Sequence, residues 1–226
     1  MKTIIEGDKI YLVDGENKYK AAIFTDHYYS LRIINGVPIL EIDGVRMHLI
    51  KDFETPLEYS EEVVKKLGVK NDDLVLDCCG GLGNTAIEAS KKGKNVISCE
   101  IREEILELAK VNPFSNEYFS KKIEIRNKDV FEEIKKFKEN TFDKIIHDPP
   151  RFSKAPELYS SDFYRELYRV LKKNGKLFHY VDTIGKYRGR KIELEVERRL
   201  IKTGFNKIKY EKKLQGLLAI RGIPEL

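Results

Sequence analysis

Tryptophan is missing from this 226-residue chain, glutamine occurs once, as Gln215, and the three cysteines, Cys78, Cys79 and Cys99, all fall within one short region. Cysteines so placed build neither a disulfide framework nor a spaced metal site, so they read as reduced thiols and no metal is expected. No stretch approaches the roughly 20 consecutive apolar residues that span a bilayer. The start, Met1-Lys-Thr-Ile-Ile-Glu6, carries a glutamate where a signal peptide would continue apolar. These absences lead us to expect a protein that stays in the cytoplasm.

Apolar residues make up 41% of the chain and charged residues 35%, the composition of a folded protein with a dense charged surface. Many Lys, Glu and Ile residues with few amides resemble the usage of hyperthermophiles, which points to a thermophile. The net charge of +5 is compatible with a polyanionic partner but short of the footprint of a dedicated nucleic-acid binder, so charge distribution must decide.

Residues 1 to 53 alternate apolar and polar positions and are punctuated by Asn35-Gly36 and Asp43-Gly44, dipeptides suited to two-residue hairpin turns. They predict a small antiparallel β-meander as an appendage, including a strand from Val45 to Ile50, with a linking helix over Thr55 to Leu67. From Leu74 onward short apolar strands alternate with amphipathic helices, the pattern of a mostly parallel sheet of βαβ units. The expected strands are 74–78, 95–99, 122–126, 142–147 and 176–181. The expected helices lie near 84–92, 102–111, 130–137, 158–173 and 191–202, and 206–214 with 217–221 form a closing antiparallel pair. The fold class is therefore α/β, with residues 54–226 as the main domain.

Val75-Leu-Asp-Cys-Cys-Gly-Gly-Leu-Gly83 places an apolar strand, a glycine-rich turn and a helix start in succession. Glycine there lets the backbone turn tightly and approach a ligand. The same pattern also occurs as a purely structural turn, and an acid one strand later separates the two readings. Glu100 ends the second strand about 20 residues on, where a carboxylate can take ribose hydroxyls, and Asp129 ends the third. This constellation resembles the class I S-adenosylmethionine-dependent methyltransferases: Asp77, Gly81 and Gly83 match their first motif, while Cys79 occupies its first glycine position. The resemblance implies a Rossmann-like sheet of about seven strands and S-adenosylmethionine as cofactor. It places Asp77 near the cofactor's amino group, Glu100 on ribose and Asp129-Val130 on adenine.

Asp148-Pro-Pro-Arg-Phe-Ser153 follows the fourth strand, and the two prolines fix φ and lack N-H groups, so the chain leaves the sheet in a rigid turn with free carbonyls. The bland alternative is a strand terminator. The motif resembles the acid-Pro-Pro-aromatic signature of methyltransferases that modify planar amino nitrogens, and more closely the D-P-P-x-F-S of some ribosomal-RNA base methyltransferases. The implied catalytic residues are Asp148, Pro149 and Phe152: acid and Pro149 carbonyl accept the N-H groups of the target amine, and Phe152 stacks on the base. With no cysteine after Cys99, covalent attack on a pyrimidine carbon is excluded in favour of nitrogen. His147 and His179 read as packed strand residues more readily than as proton acceptors.

Arg151 and Lys154, with Lys186, Tyr187, Arg188, Arg190 and Lys191 in the loop after the fifth strand, make a basic, tyrosine-bearing edge suited to phosphates around a flipped base. Ribosomal or transfer RNA is the expected partner. Three other readings stand beside it: aminopropyl transfer to a polyamine, protein glutamine methylation, and a silent RNA-binding module.

Overall fold

The computed structural model describes residues 2–48, 51–181 and 192–222. The alternating N-terminal region folds as one antiparallel sheet of seven strands: β1 (Lys2–Glu6), β2 (Lys9–Asp14), β3 (Asn17–Lys20), β4 (Ala22–Phe24), β5 (Tyr28–Ile34), β6 (Val37–Ile42) and β7 (Val45–Arg46). Asn35 and Gly36, at φ 49° and 77°, turn β5 into β6, and Asp43 and Gly44, at 51° and 75°, turn β6 into β7. Two consecutive left-handed residues match the right-handed twist of the flanking strands, which is why Asn-Gly and Asp-Gly occur there. The last strand is shorter than expected, since its pairing ends at Arg46 and Leu49 and Ile50 lie outside the described residues.

Helix α1 (Pro56–Leu67) starts where Thr55 accepts the Glu58 N-H and stops where Gly68 turns left-handed and donates to the Lys65 and Val64 carbonyls. The body then runs β8 (Leu74–Asp77), α2 (Asn84–Lys92), β9 (Asn95–Cys99), α3 (Glu103–Val111), β10 (Ile123–Arg126), α4 (Val130–Glu133), β11 (Phe142–His147), α5 (Ser161–Val170), β12 (Leu171–Tyr180), α6 (Ile192–Thr203), β13 (Phe205–Glu211) and β14 (Gly216–Arg221). Its seven strands are ordered β10-β9-β8-β11-β12-β14-β13. Pairing is parallel from β10 to β12, and β14 is antiparallel to both its neighbours. The winding reverses between β8 and β11, and a crevice opens at the carboxyl ends of strands at such a reversal.

Two helical expectations shift. Instead of one helix over 158–173 there is a 3₁₀ turn, Pro156–Tyr159, followed by α5. Ser160 caps α5 by accepting the Phe163 N-H at 3.1 Å, and Leu171 leaves helical geometry at ψ 137°. The helix expected over 130–137 is a single α turn continued as the 3₁₀ turn Ile134–Lys136. The closing strand ends at Glu211 and not at 214, because the chain turns over 212–215, with Gln215 at φ 48°.

Alternation along the body strands sends side chains to opposite faces. Val75, Ile146 and Phe178 join the cluster that contains α1, α2 and α3 residues, whereas Leu76, Ile145 and Leu177 join the one formed with α5 and α6. The first cluster continues into the N-terminal sheet through Ile10, Tyr29, Leu31 and Leu40, so that sheet rests on the body through a shared apolar core. Polar contacts reinforce it: Arg102, just before α3, pairs with Asp26 at 2.8 Å, and Thr25 donates to Glu104 at 2.7 Å. No helix among the described residues is long and apolar enough to cross a membrane.

Leu76 is fully buried in the central strand. Leu76→Ala is expected to lower unfolding stability by about 2–5 kcal/mol in chemical denaturation. A loss below about 1 kcal/mol would contradict a close-packed core on that face.

Candidate active site

Four strand ends build the site. Asp77 closes β8 and is completely buried. Its Oδ2 accepts from Ser98 Oγ at 3.0 Å and from Thr85 Oγ1 at 3.3 Å, while Oδ1 has no hydrogen-bond partner among the described residues. Burial pushes this carboxyl up to about 7. Beyond it the chain turns through Gly80, Gly81 and Gly83. A Cβ on Gly80 or Gly83 would run into Tyr118, which is fully buried directly beneath the turn. Gly81 sits at φ 55°, and a Cβ there would meet nothing within 4 Å, so the outer side of the turn is open.

Glu100 follows β9 and is 7% exposed. Gly81 N-H donates to its Oε2 at 2.8 Å and Arg102 N-H to its Oε1 at 2.9 Å, so the second acid clasps the glycine turn. Burial pushes its carboxyl up against the pull of these donors. Cys79 is half-buried, and its thiol is driven well above the usual range, first by burial and then by Cys78 and the carboxylates of Glu100, Asp77 and Asp148. It is therefore a neutral thiol at the position where the resembled motif carries glycine. All three cysteines are unpaired.

Asp129 is exposed and caps α4, its Oδ1 accepting the Phe131 N-H at 2.9 Å. The Val130 side chain is buried in the core, leaving its backbone to face any ligand. Between the second and third acids, Asn127 donates to the carbonyls of Glu100 and Ile101 at 2.8 and 3.1 Å.

The register that sets Ile146 of β11 opposite Asp77 of β8 brings Asp148 out two residues later at the same edge. Asp148 is half-buried, and desolvation pushes its carboxyl up to about 6. Pro149 is buried, and the Pro150 carbonyl accepts from the Tyr159 hydroxyl at 3.0 Å, pinning the turn. Phe152 is 39% exposed and meets Tyr159 edge-on, with ring centroids 5.5 Å apart. The exposed Arg151 accepts the Lys154 N-H on its carbonyl at 2.7 Å. Lys154 lies near enough to the N-terminal sheet to help hold Asp43 low, after the larger effects of the Tyr28 N-H and His27. Lys186, Tyr187, Arg188, Arg190 and Lys191 lie outside the described residues.

His147 and His179 face each other across β11 and β12, with rings 4.4 Å apart and both fully buried. His147 Nε2 bonds the Leu158 carbonyl at 3.0 Å, and His179 Nε2 bonds the Tyr164 hydroxyl at 2.9 Å. Burial holds His147 down at about 4 and His179 well below its usual value. Both are neutral packing residues. Sequence reasoning missed Ser98, Thr85, Tyr118 and Tyr59 at this site. A serine inside an otherwise apolar strand two residues before Glu100 was the one available signal.

Comparison with known proteins bears on the family and the fold. A model described as "Methyltransferase domain" matches residues 75–175, and one described as "DNA methylase" matches 35–111. The crystal structure of a spermidine synthase with the transition-state analogue AdoDATO superposes over 89% of this chain and 73% of that one, with a TM-score of 0.70 and 22% identity, a likeness of fold. Fold and crevice together define a class I, Rossmann-like S-adenosylmethionine-dependent methyltransferase. Within that class the chain belongs to the family of the protein MJ1233 of Methanocaldococcus jannaschii, with 45% identity over 217 residues, 96% of this chain and 74% of that protein. It is also similar to ribosomal RNA large subunit methyltransferase I of Aliivibrio fischeri, 32% identical over 124 residues, which are 54% of this chain and 30% of that protein.

The residues present fit the cofactor. Asp77 keeps an unpartnered, buried carboxylate oxygen suited to an ammonium, the glycine turn is open on its outer side, and α2 begins at Gly83 without a side-chain cap. S-adenosylmethionine supplies an electrophilic methyl group on a sulfonium. Because Asp77 sits at about 7, a bound ammonium would stabilise its ionised form, so binding should release protons and tighten between about pH 6 and 8. Calorimetry in buffers of different ionisation enthalpy reads this directly, and heats that do not vary with buffer at pH 6.5 would contradict it. Gly83→Ala should abolish cofactor binding, since its Cβ collides with Tyr118 and φ is 87°.

Proposed function

We propose that this enzyme transfers a methyl group from S-adenosylmethionine to an exocyclic base amine in ribosomal or transfer RNA, with residues 54–226 as the methyltransferase domain and 1–53 as an appendage. The observation that carries the reading is the position of Asp148. A half-buried carboxylate leaves the sheet beside Asp77, followed by a turn pinned through the Pro150 carbonyl. An exocyclic amine has its lone pair delocalised into the ring, so it attacks a sulfonium methyl well only while its N-H groups are held by acceptors. Asp148 takes one N-H and the Pro149 carbonyl the other, directing the nitrogen lone pair along the axis of transfer. Half-exposed Phe152 offers a face for the base, a contact worth about 1–3 kcal/mol in comparable cases. Arg151 and Lys154 lie on the same turn and suit flanking phosphates. Similarity to a ribosomal RNA methyltransferase supports the substrate class.

A second reading, aminopropyl transfer to a polyamine, is favoured by one observation: among the described residues, the groups that face Asp148 are Asp77, Cys79 and the phenols Tyr59 and Tyr159, with no cation among them. Such a lining also suits an amine that carries charge. The spermidine synthase likeness covers 89% of this chain, more than residues 54–226 alone.

Incubation with tritiated S-adenosylmethionine and total RNA from a strain lacking the gene, followed by nucleoside mass spectrometry, is expected to yield an amino-methylated base. Label absent from RNA, with aminopropyl transfer from decarboxylated S-adenosylmethionine to putrescine, would overturn this in favour of the polyamine reading. Asp148→Asn is expected to lower transfer by about 10²–10⁴-fold with cofactor affinity within a few-fold of wild type. Transfer by the wild type should fall as pH drops through about 6, where Asp148 takes up a proton.

A further inference from the structure

Tyr59 belongs to neither motif. It lies on α1, the helix that joins the N-terminal sheet to the body, and it is 4% exposed. Its ring is clamped edge-on between Phe53, at 5.6 Å, and Phe178 of β12, at 6.5 Å. Its hydroxyl is buried and makes no hydrogen bond among the described residues, although a buried hydroxyl without a partner is costly and unusual. The acid nearest to it is Asp148, the first of the groups that push its ionisation upward after burial itself. A phenol so placed stays protonated and can only donate to a carboxylate. The hydroxyl nonetheless lies close enough to act on the Asp148 carboxylate as a hydrogen-bond donor and pull its ionisation down, so phenol and acid are neighbours whose contact falls short of good geometry.

We propose that Tyr59 is a positioning residue that backs Asp148, donating its hydroxyl hydrogen to the carboxylate oxygen turned away from the acceptor once the acceptor draws the acid into line. The inference rests on the reading of Asp148 as the acid that holds the acceptor amine. Burial drives Asp148 toward its neutral form, which would present an O-H to an N-H, and Tyr59 opposes that. The other titratable groups around this acid do not. Asp77 from β8, Cys79 from the glycine turn and Tyr159 from the 3₁₀ turn are anionic or neutral, Tyr180 of β12 is a further phenol that acts on Tyr59 and Tyr159, and Tyr59 is the one side chain that lowers Asp148. An anion or a neutral group that does not donate cannot favour a second anion. His147 precedes Asp148 in the chain but is neutral and turned to Leu158.

Tyr59→Phe keeps the ring against Phe53 and Phe178 and removes only the hydroxyl. The full chain labelled with ¹³C at aspartate carboxyls is titrated by NMR, with the Asp148 signal assigned from its loss in Asp148→Asn. In Tyr59→Phe the Asp148 midpoint should rise by about one pH unit, because a hydrogen bond to the charged form is lost. The acid limb of methyl transfer to total RNA should move up with it, while S-adenosylmethionine affinity stays unchanged and the melting temperature is equal or higher. An unmoved midpoint overturns the role of Tyr59, whatever the substrate. A moved midpoint in an enzyme whose Asp148→Asn variant transfers at the wild-type rate overturns the role of Asp148 instead. The two failures are therefore distinguishable.

Discussion

The carboxylate of Asp77 has to remain buried at the centre of the sheet, shielded from bulk solvent, and much of the surrounding structure follows from that requirement. Taking an acid out of water favours its neutral form. Here the cost is only partly offset, by Ser98 from the neighbouring strand and Thr85 from the helix that follows. Ser98 in turn shares a hydrogen with Tyr118 at 2.9 Å, and Tyr118 fills the space beneath the glycine turn. Acid, turn, serine and tyrosine are thus one packed unit, and none can be changed without disturbing the others. The oxygen left without a partner among the described residues is where this unit is incomplete, and it suits a positively charged ligand.

The same logic extends outward. Glu100 and Asp148 reach the crevice from the strands on either side of Asp77, each desolvated enough to be pushed up in pKa. Three acids gathered in one crevice repel one another, so the site suits a cation and would release protons on receiving one. Glu100 lowers its own cost by taking backbone N-H groups from Gly81 and Arg102. Arg102 is also tied to Asp26 of the N-terminal sheet. The appendage is thereby joined to the Glu100 side of the crevice, and through α1 and Tyr59 to the Asp148 side.

Much of this was legible in the residues. The Asn-Gly and Asp-Gly turns, the switch from alternation to βαβ rhythm, Asp77, the glycines, Glu100 and Asp148 all announce themselves through local chemistry. Where expectation and structure part, local pattern competed with geometry beyond the sequence window. The helical run from 158 onward is broken because Ser160 finds a cap within its own turn. The strand expected to continue to Ile50 stops pairing at Arg46. His147 and His179, by contrast, are the packed strand residues they were expected to be. Their partners, Leu158 and Tyr164, come from the chain that packs over the strands.

By itself the sequence determined the strand-turn-helix over residues 74–92 and the acids at the strand ends, because those features are set by φ, by strand periodicity and by the few residues between neighbours. Tertiary structure decided which groups meet around Asp148. Tyr59 is 89 positions from Asp148 in the chain and Tyr118 is far from the strand it supports, and no spacing rule links either pair. Only the stacking of α1 on the sheet and the winding reversal between β8 and β11 bring them together, since packing depends on which faces are buried against each other and not on distance along the chain.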